Sequence, residues 1–130
     1  MQERVHIDSA GLKLSAVLHL PEGHQPGQKH PAIIVVHGFG ANKDAGNVTV
    51  PTSLYVQWGY IALRVDMRGC GESEGTPGHV LCTDQVEDVR NAISYLAQRP
   101  EVRGYFQLQA RHRHLQHFLR QFSALSRLPA

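Results

Sequence analysis

The chain has 130 residues, 42% apolar and 18% charged, an ordinary globular composition for one domain able to bury a core. Its formal charge of +2 is unevenly spread, because every Asp and Glu lies at or before Glu101 whereas Arg103, Arg111, Arg113, Arg120 and Arg127 follow it. No apolar run approaches the roughly 18 residues of a membrane span, and no signal-peptide core follows Met1-Gln2-Glu3-Arg4, so no membrane span and a soluble cytoplasmic protein are expected.

Val5 to Leu20 alternates on either side of Ser9-Ala10-Gly11, as an antiparallel hairpin does. Pro21 to Pro31 collects Pro21, Gly23, Pro26, Gly27 and Pro31 among polar residues and reads as a surface loop. Ala32-Ile33-Ile34-Val35-Val36 is an unbroken β-branched run, the mark of a parallel strand covered on both faces. Roughly Val50 to Gly59 carries Leu54, Tyr55 and Trp58 at helical spacing, and Tyr60 to Asp66 is a second largely apolar strand, completing one crossover unit.

A further helix places Val86, Val89, Ile93 and Leu96 on one stripe flanked by Ala92 and Ala97. Asp84 is its expected cap, with Glu87 three residues on as in a capping box, and Pro100 its stop. The fold class is therefore α/β: a hairpin, then strand, helix, strand, helix. Cys70 and Cys82 lack C-x-x-C spacing, so reduced thiols are expected rather than a zinc site or a disulfide.

Two glycine-rich turns fall at the carboxyl ends of the apolar strands, where open α/β sheets bind ligands. In the first, His37-Gly38-Phe39-Gly40, glycines flank Phe39, and a sharp turn there frees amide hydrogens to meet an oxyanion; a plain strand-to-loop turn is the alternative. In the second, Asp66-Met67-Arg68-Gly69-Cys70-Gly71-Glu72-Ser73, Asp66, Arg68 and Ser73 are placed to bond main chain and one another around Gly69 and Gly71, which fixes a loop rather than performing chemistry. Neither G-x-G-x-x-G nor G-x-x-x-x-G-K-[ST] is present, so nucleotide binding is not expected.

These motifs, with Gln85-Val86-Glu87-Asp88-Val89 and Ala92-Ile93 through Leu96, and with Gln98-Arg99-Pro100-Glu101-Val102 closing the helix, resemble the α/β-hydrolase superfamily over roughly residues 3 to 102. The nearest members are the bacterial hydrolases similar to serine aminopeptidases, dienelactone hydrolases and polyketide-transferase-like proteins. The resemblance implies a serine hydrolase of esters, amides or related acyl compounds, with a small acyl-type substrate and no cofactor. It gives the Phe39 backbone amide to the oxyanion hole, has His37, Gly38 and Gly40 shape the turn, and makes Asp66, Arg68, Gly69, Gly71 and Ser73 the supporting loop.

The resemblance also implies a nucleophile elbow, G-x-S-x-G, followed by an acid and a histidine. After Val102 the sequence departs: no elbow follows, Ser123 and Ser126 have no adjacent glycine, and no Asp or Glu follows Glu101. The earlier serines, Ser9, Ser15, Ser53, Ser73 and Ser94, are not plausible nucleophiles. Ser73 sits between Glu72 and Glu74, which raise the cost of an alkoxide. No catalytic residue is identifiable, and the 130-residue chain is expected to be inactive alone.

The division is thus 1–102, the N-terminal part of an incomplete α/β-hydrolase sheet, and 103–130, a tail rich in Arg, His, Gln and Leu, either helical or disordered. An out-of-frame extension of a truncated gene explains its composition. The rival is a basic amphipathic helix carrying Leu115, Phe118, Leu119, Phe122 and Leu125, which makes the chain a non-catalytic binding module. His112, His114 and His117 read as solvated histidines rather than metal ligands, and no nucleic acid is expected without an accompanying motif. Loss of the strand expected beside Tyr60 to Asp66 exposes an apolar edge there, which implies marginal stability or self-association.

Overall fold

The computed structural model of the chain describes residues 1–103. The expectations for the tail, its helix, its histidines and its alternative frame, fall beyond Arg103 and lie outside the described residues.

The hairpin forms as its alternation requires. β1 (Gln2–Ser9) pairs antiparallel with β2 (Leu12–His19), and the Gly11 amide donates to the Asp8 carboxylate to close the turn. β3 (Ala32–Val36) leads through α1 (Gly46–Gln57) to β4 (Ile61–Val65), parallel to β3, and α2 (Cys82–Gln98) follows. The sheet is mixed, with strand order β1-β2-β4-β3.

That order corrects the expected free edge. β4 pairs with β2 on one side and β3 on the other, so the Tyr60 to Asp66 strand is central and the sheet's edge strands among the described residues are β1 and β3. The cause is the crossover, which returns the chain to the inner side of β3. Beside β3 the described chain makes one isolated parallel bridge, His30 to Val102, in which His30 N–H donates to the Glu101 carbonyl and Arg103 N–H to that of His30. β3 is accordingly not covered on both faces: Ala32 to Val35 are half-buried and Val36 is 45% exposed, whereas every residue of β4 is buried.

Alternate residues of three strands, Val5 and Ile7, Leu14, Ala16 and Leu18, and Ile61, Leu63 and Val65, form the main core with Ala92 and Leu96 of α2. The helix faces differ from those expected. α1 begins at Gly46, with Pro51 inside it, and buries Val48 and Thr52, while Leu54 and Trp58 stay exposed. Its Thr52 hydroxyl donates to the Val48 carbonyl. α2 buries Asp88, Ala92 and Leu96, leaves Val86 50% exposed and Ala97 exposed, and starts after Leu81 with no side-chain cap. The Asp84 capping box is therefore not formed, because Asp84 and Glu87 turn toward Arg68 instead. No helix of the described residues is long and apolar enough to cross a membrane.

On the other face of the sheet, the buried Arg64 Nε donates to His19 Nε2 at 3.0 Å, tying β4 to β2. Burial, then the Arg64 charge and the N-terminal ammonium, lower the His19 pKa from 6.5 to about 4. The unfolded chain therefore binds a proton between pH 6.5 and 4 that the folded chain refuses, so stability is full above pH 6.5 and declines as pH falls toward 4. At about 1.4 kcal/mol per unit the decline is about 3 kcal/mol. Urea unfolding at pH 7 and 4.5 measures it, and His19→Gln, which keeps an acceptor for Arg64 without titrating, is expected to flatten the slope in that window.

Candidate functional site

The turns after β3 and β4 lie side by side, because the two strands are adjacent and parallel. His37 is buried between them. Its Nδ1 lies 2.9 Å from the Gly38 carbonyl oxygen, which only accepts, so the proton sits on Nδ1 and Nε2 accepts from the Met67 amide at 3.1 Å. The ring therefore stitches one turn to the other and has no nitrogen left for chemistry.

Two residues on, Phe39 is 91% exposed, and its amide has no acceptor among the described residues. Gly40 follows at φ +70°, a left-handed conformation that reverses the chain, and the Ala41 amide closes the reversal onto the Gly38 carbonyl at 3.2 Å. Gly38 is not demanded by space: a Cβ there meets nothing within 4 Å. The exposed turn thus presents open room beside the Phe39 amide.

The second loop is held from two sides. Asp66, fully buried, accepts from the Lys43 amide at 2.6 Å, the Lys43 ammonium at 2.8 Å and the Glu72 amide at 2.9 Å. Gly71 is required by this approach, since a Cβ there would overlap the Asp66 carboxyl. Behind it, Arg68 donates to the buried Asp88 through Nη2 at 2.7 Å and Nε at 3.0 Å, and to Glu87 at 2.8 Å. Those bonds, Asp88 first, raise the Arg68 pKa further above its ordinary value. Asp88 also accepts from the Ser9 hydroxyl at 2.6 Å, which joins the hairpin to α2.

Ser73 is spent in structure. Its hydroxyl donates to the Asp66 carbonyl at 2.6 Å and accepts from the Ser15 amide at 2.8 Å. The Gly69 amide is bonded to the Glu74 carbonyl, and burial, then Asp66 and Asp88, push the Cys70 thiol up, which disfavours a nucleophilic thiolate. Among the described residues no group of three His, Cys, Asp or Glu is placed to hold a metal ion. His24 and His30 bond one another at 3.0 Å.

The structure thus ties the His37 to Gly40 turn to the Asp66 to Ser73 loop through the His37 ring on the Met67 amide, while Arg68 and Ser73 bond α2 and β2. It adds residues that the motifs do not reveal. Lys43 is 2% exposed, and its ammonium also reaches Glu72 at 2.7 Å; burial opposes its charge, but the bonds to Asp66 and Glu72 prevail and raise its pKa. Arg64 donates to the Lys43 carbonyl at 2.9 Å and to the Asp44 carboxylate. Burial opposes the Asp44 charge, but Arg64 and Lys43 hold that carboxyl below its usual range; Lys43 does the same for Glu72. One signal was available: Arg64 in an otherwise apolar strand requires buried partners.

Comparison with known proteins agrees with the fold. Residues 10–107 match the model of the X-Pro dipeptidyl-peptidase (S15) family. An uncharacterized 31.7 kDa Escherichia coli protein is 34% identical over 92 residues, 69% of this chain and 29% of its own length. Polyketide transferase ATR5 of Stachybotrys chlorohalonatus is 35% identical over 77 residues, 58% of this chain and 26% of its own. The α/β hydrolase GrgF from a Penicillium species superposes with a TM-score of 0.71 at 27% identity, covering 79% of this chain and 34% of that one. The chain thus spans about a third or less of these relatives. It belongs to the X-Pro dipeptidyl-peptidase (S15) family and carries the first part of an α/β-hydrolase fold.

Proposed function

We propose that residues 1–102 are the oxyanion-hole part of a serine-type α/β hydrolase for esters, amides or related acyl compounds, and that 103–130 form a separate basic tail. The observation that carries this reading is the Phe39 amide: it has no acceptor among the described residues and stands in an exposed turn held by the bonded His37 ring and by the Ala41 amide on the Gly38 carbonyl. A fixed amide at the carboxyl end of a parallel strand is what the oxyanion of an acyl intermediate needs, because a preorganised donor costs no reorganisation as charge develops. Removing one such donor elsewhere typically costs about 100- to 1,000-fold in kcat.

The 130-residue chain by itself does not turn substrate over. No G-x-S-x-G follows Val102, and in the one earlier match, Gly71-Glu72-Ser73-Glu74-Gly75, the Ser73 hydroxyl is committed at both ends; His37 is committed at both nitrogens. Incubation of the purified chain with a fluorophosphonate probe is expected to give no labelled serine, and p-nitrophenyl acetate no hydrolysis above background. A labelled serine would overturn the assignment of inactivity.

The same chain self-associates, on this reading, through the β3 edge. An uncharged edge whose outward amides and carbonyls have no partner among the described residues, with Val36 45% exposed at its end, is a template for another strand. Sedimentation velocity is expected to show concentration-dependent association, weakened at least tenfold in Val36→Lys, with stability within about 0.5 kcal/mol of the parent as for other exposed positions. A chain that stays monomeric at every concentration contradicts this.

A further inference from the structure

We infer that Lys43 is a positioning residue for the Phe39 amide, fastening the turn after β3 to the loop after β4 through Asp66. The inference rests on the oxyanion reading of Phe39 and names the side chain on which its geometry depends.

Between the end of β3 and the start of α1 the chain runs from His37 to Ala45. Its bonds within this stretch are short-range: Ala41 N–H to the Gly38 carbonyl, Ala45 N–H to the Asn42 carbonyl and Asp44 N–H to the Asn42 side chain. Bonds of that span shape a turn but do not fix where it stands. Its position is fixed from outside at two places. At one end the His37 ring meets the Met67 amide at 3.1 Å. At the other end Lys43 commits its amide to Asp66 Oδ1 at 2.6 Å, its ammonium to Asp66 Oδ2 at 2.8 Å and Glu72 Oε2 at 2.7 Å, and its carbonyl to Arg64 at 2.9 Å.

Lysine is almost never fully buried unless paired, and Lys43 is 2% exposed. Both Asp66 oxygens and the ammonium are satisfied only in this one placement of the turn, which makes the pair a register pin as well as a charge pair. Phe39 lies two residues from the first anchor and four from the second. Without the Lys43 ammonium this end of the turn keeps only the Lys43 amide on Asp66 and the Arg64 bonds to the Lys43 carbonyl and the Asp44 carboxylate, and Gly38 and Gly40 leave the intervening chain few restraints of its own.

Backbone ¹⁵N relaxation of the purified 130-residue chain tests the assignment. In the parent, the order parameters of Gly38 to Ala41 are expected near about 0.85, like those of β2 and β4; in Lys43→Met they are expected to fall below about 0.6 in the turn alone. Should Lys43→Met not fold, Lys43→Met/Asp66→Asn, which leaves no unpaired charge on this pair, carries the same comparison. A residue that merely stabilises the fold would lower the melting temperature while native order in the turn stays as in the parent, and that outcome overturns the inference. So does a loss of order spread equally through β2 and β4. Acetate, a carboxylate probe, is expected to shift the Phe39 amide resonance in the parent and not in the variant. A parent without that shift sinks the oxyanion reading, while the relaxation comparison still decides the role of Lys43.

Discussion

A carboxylate without exposure to water must fill its lone pairs or lose its charge, and Asp66 meets that demand at the end of β4 with donors from two different turns. The desolvation of such an ion costs several kcal/mol, and only near-complete hydrogen bonding offsets it. The two turns are therefore not free to choose their separation. Lys43 must come from the segment after β3, the Glu72 amide must come from the segment after β4, and Gly71 must lack a side chain so that the backbone can close on the carboxyl. The relation between the exposed Phe39 amide and the rest of the sheet follows from this one charge.

A second buried carboxylate, Asp88, does comparable work on the far side of the same loop. It accepts from the Arg68 amide and guanidinium and from Ser9, so the loop, the hairpin end and α2 share one centre. Asn91 adds its own bond to the Ser9 hydroxyl at 2.9 Å. Between the two carboxylates the Asp66 to Ser73 segment is held as a rigid spacer. Its three charged side chains, Asp66, Arg68 and Glu72, are each neutralised by a partner outside the segment.

Much of this fold is legible in the sequence, and the limits have physical causes. Element order follows from periodicity: the period-two hairpin, the two apolar strands and the α2 repeat all occur where the pattern puts them. Helix faces are less legible, because a buried polar residue can replace an apolar one. Asp88 holds the inward position of α2 that hydrophobicity alone assigns to Val86, and Thr52, bonded to its own helix, does so in α1. Strand order is silent, since nothing local tells β4 to lie between β2 and β3. The candidate turn is half legible: His37 to Gly40 and Asp66 to Ser73 announce themselves by glycine and position, whereas Lys43 is a charged residue in a polar loop until its partner is known.

The bond from the Ser9 hydroxyl to Asp88 joins residues 79 apart in sequence, and that from Asn91 joins Ser9 across 82. Such contacts form only after a long loop has closed, so their entropy must be met before they contribute anything. As the chain leaves the ribosome, the hairpin is complete in length from its twentieth residue yet lacks its clasp until most of α2 has emerged. Synthesis at about 5–20 residues per second stretches that interval to several seconds. The hairpin thus spends its early life as a two-stranded ribbon, a state that is marginal in water.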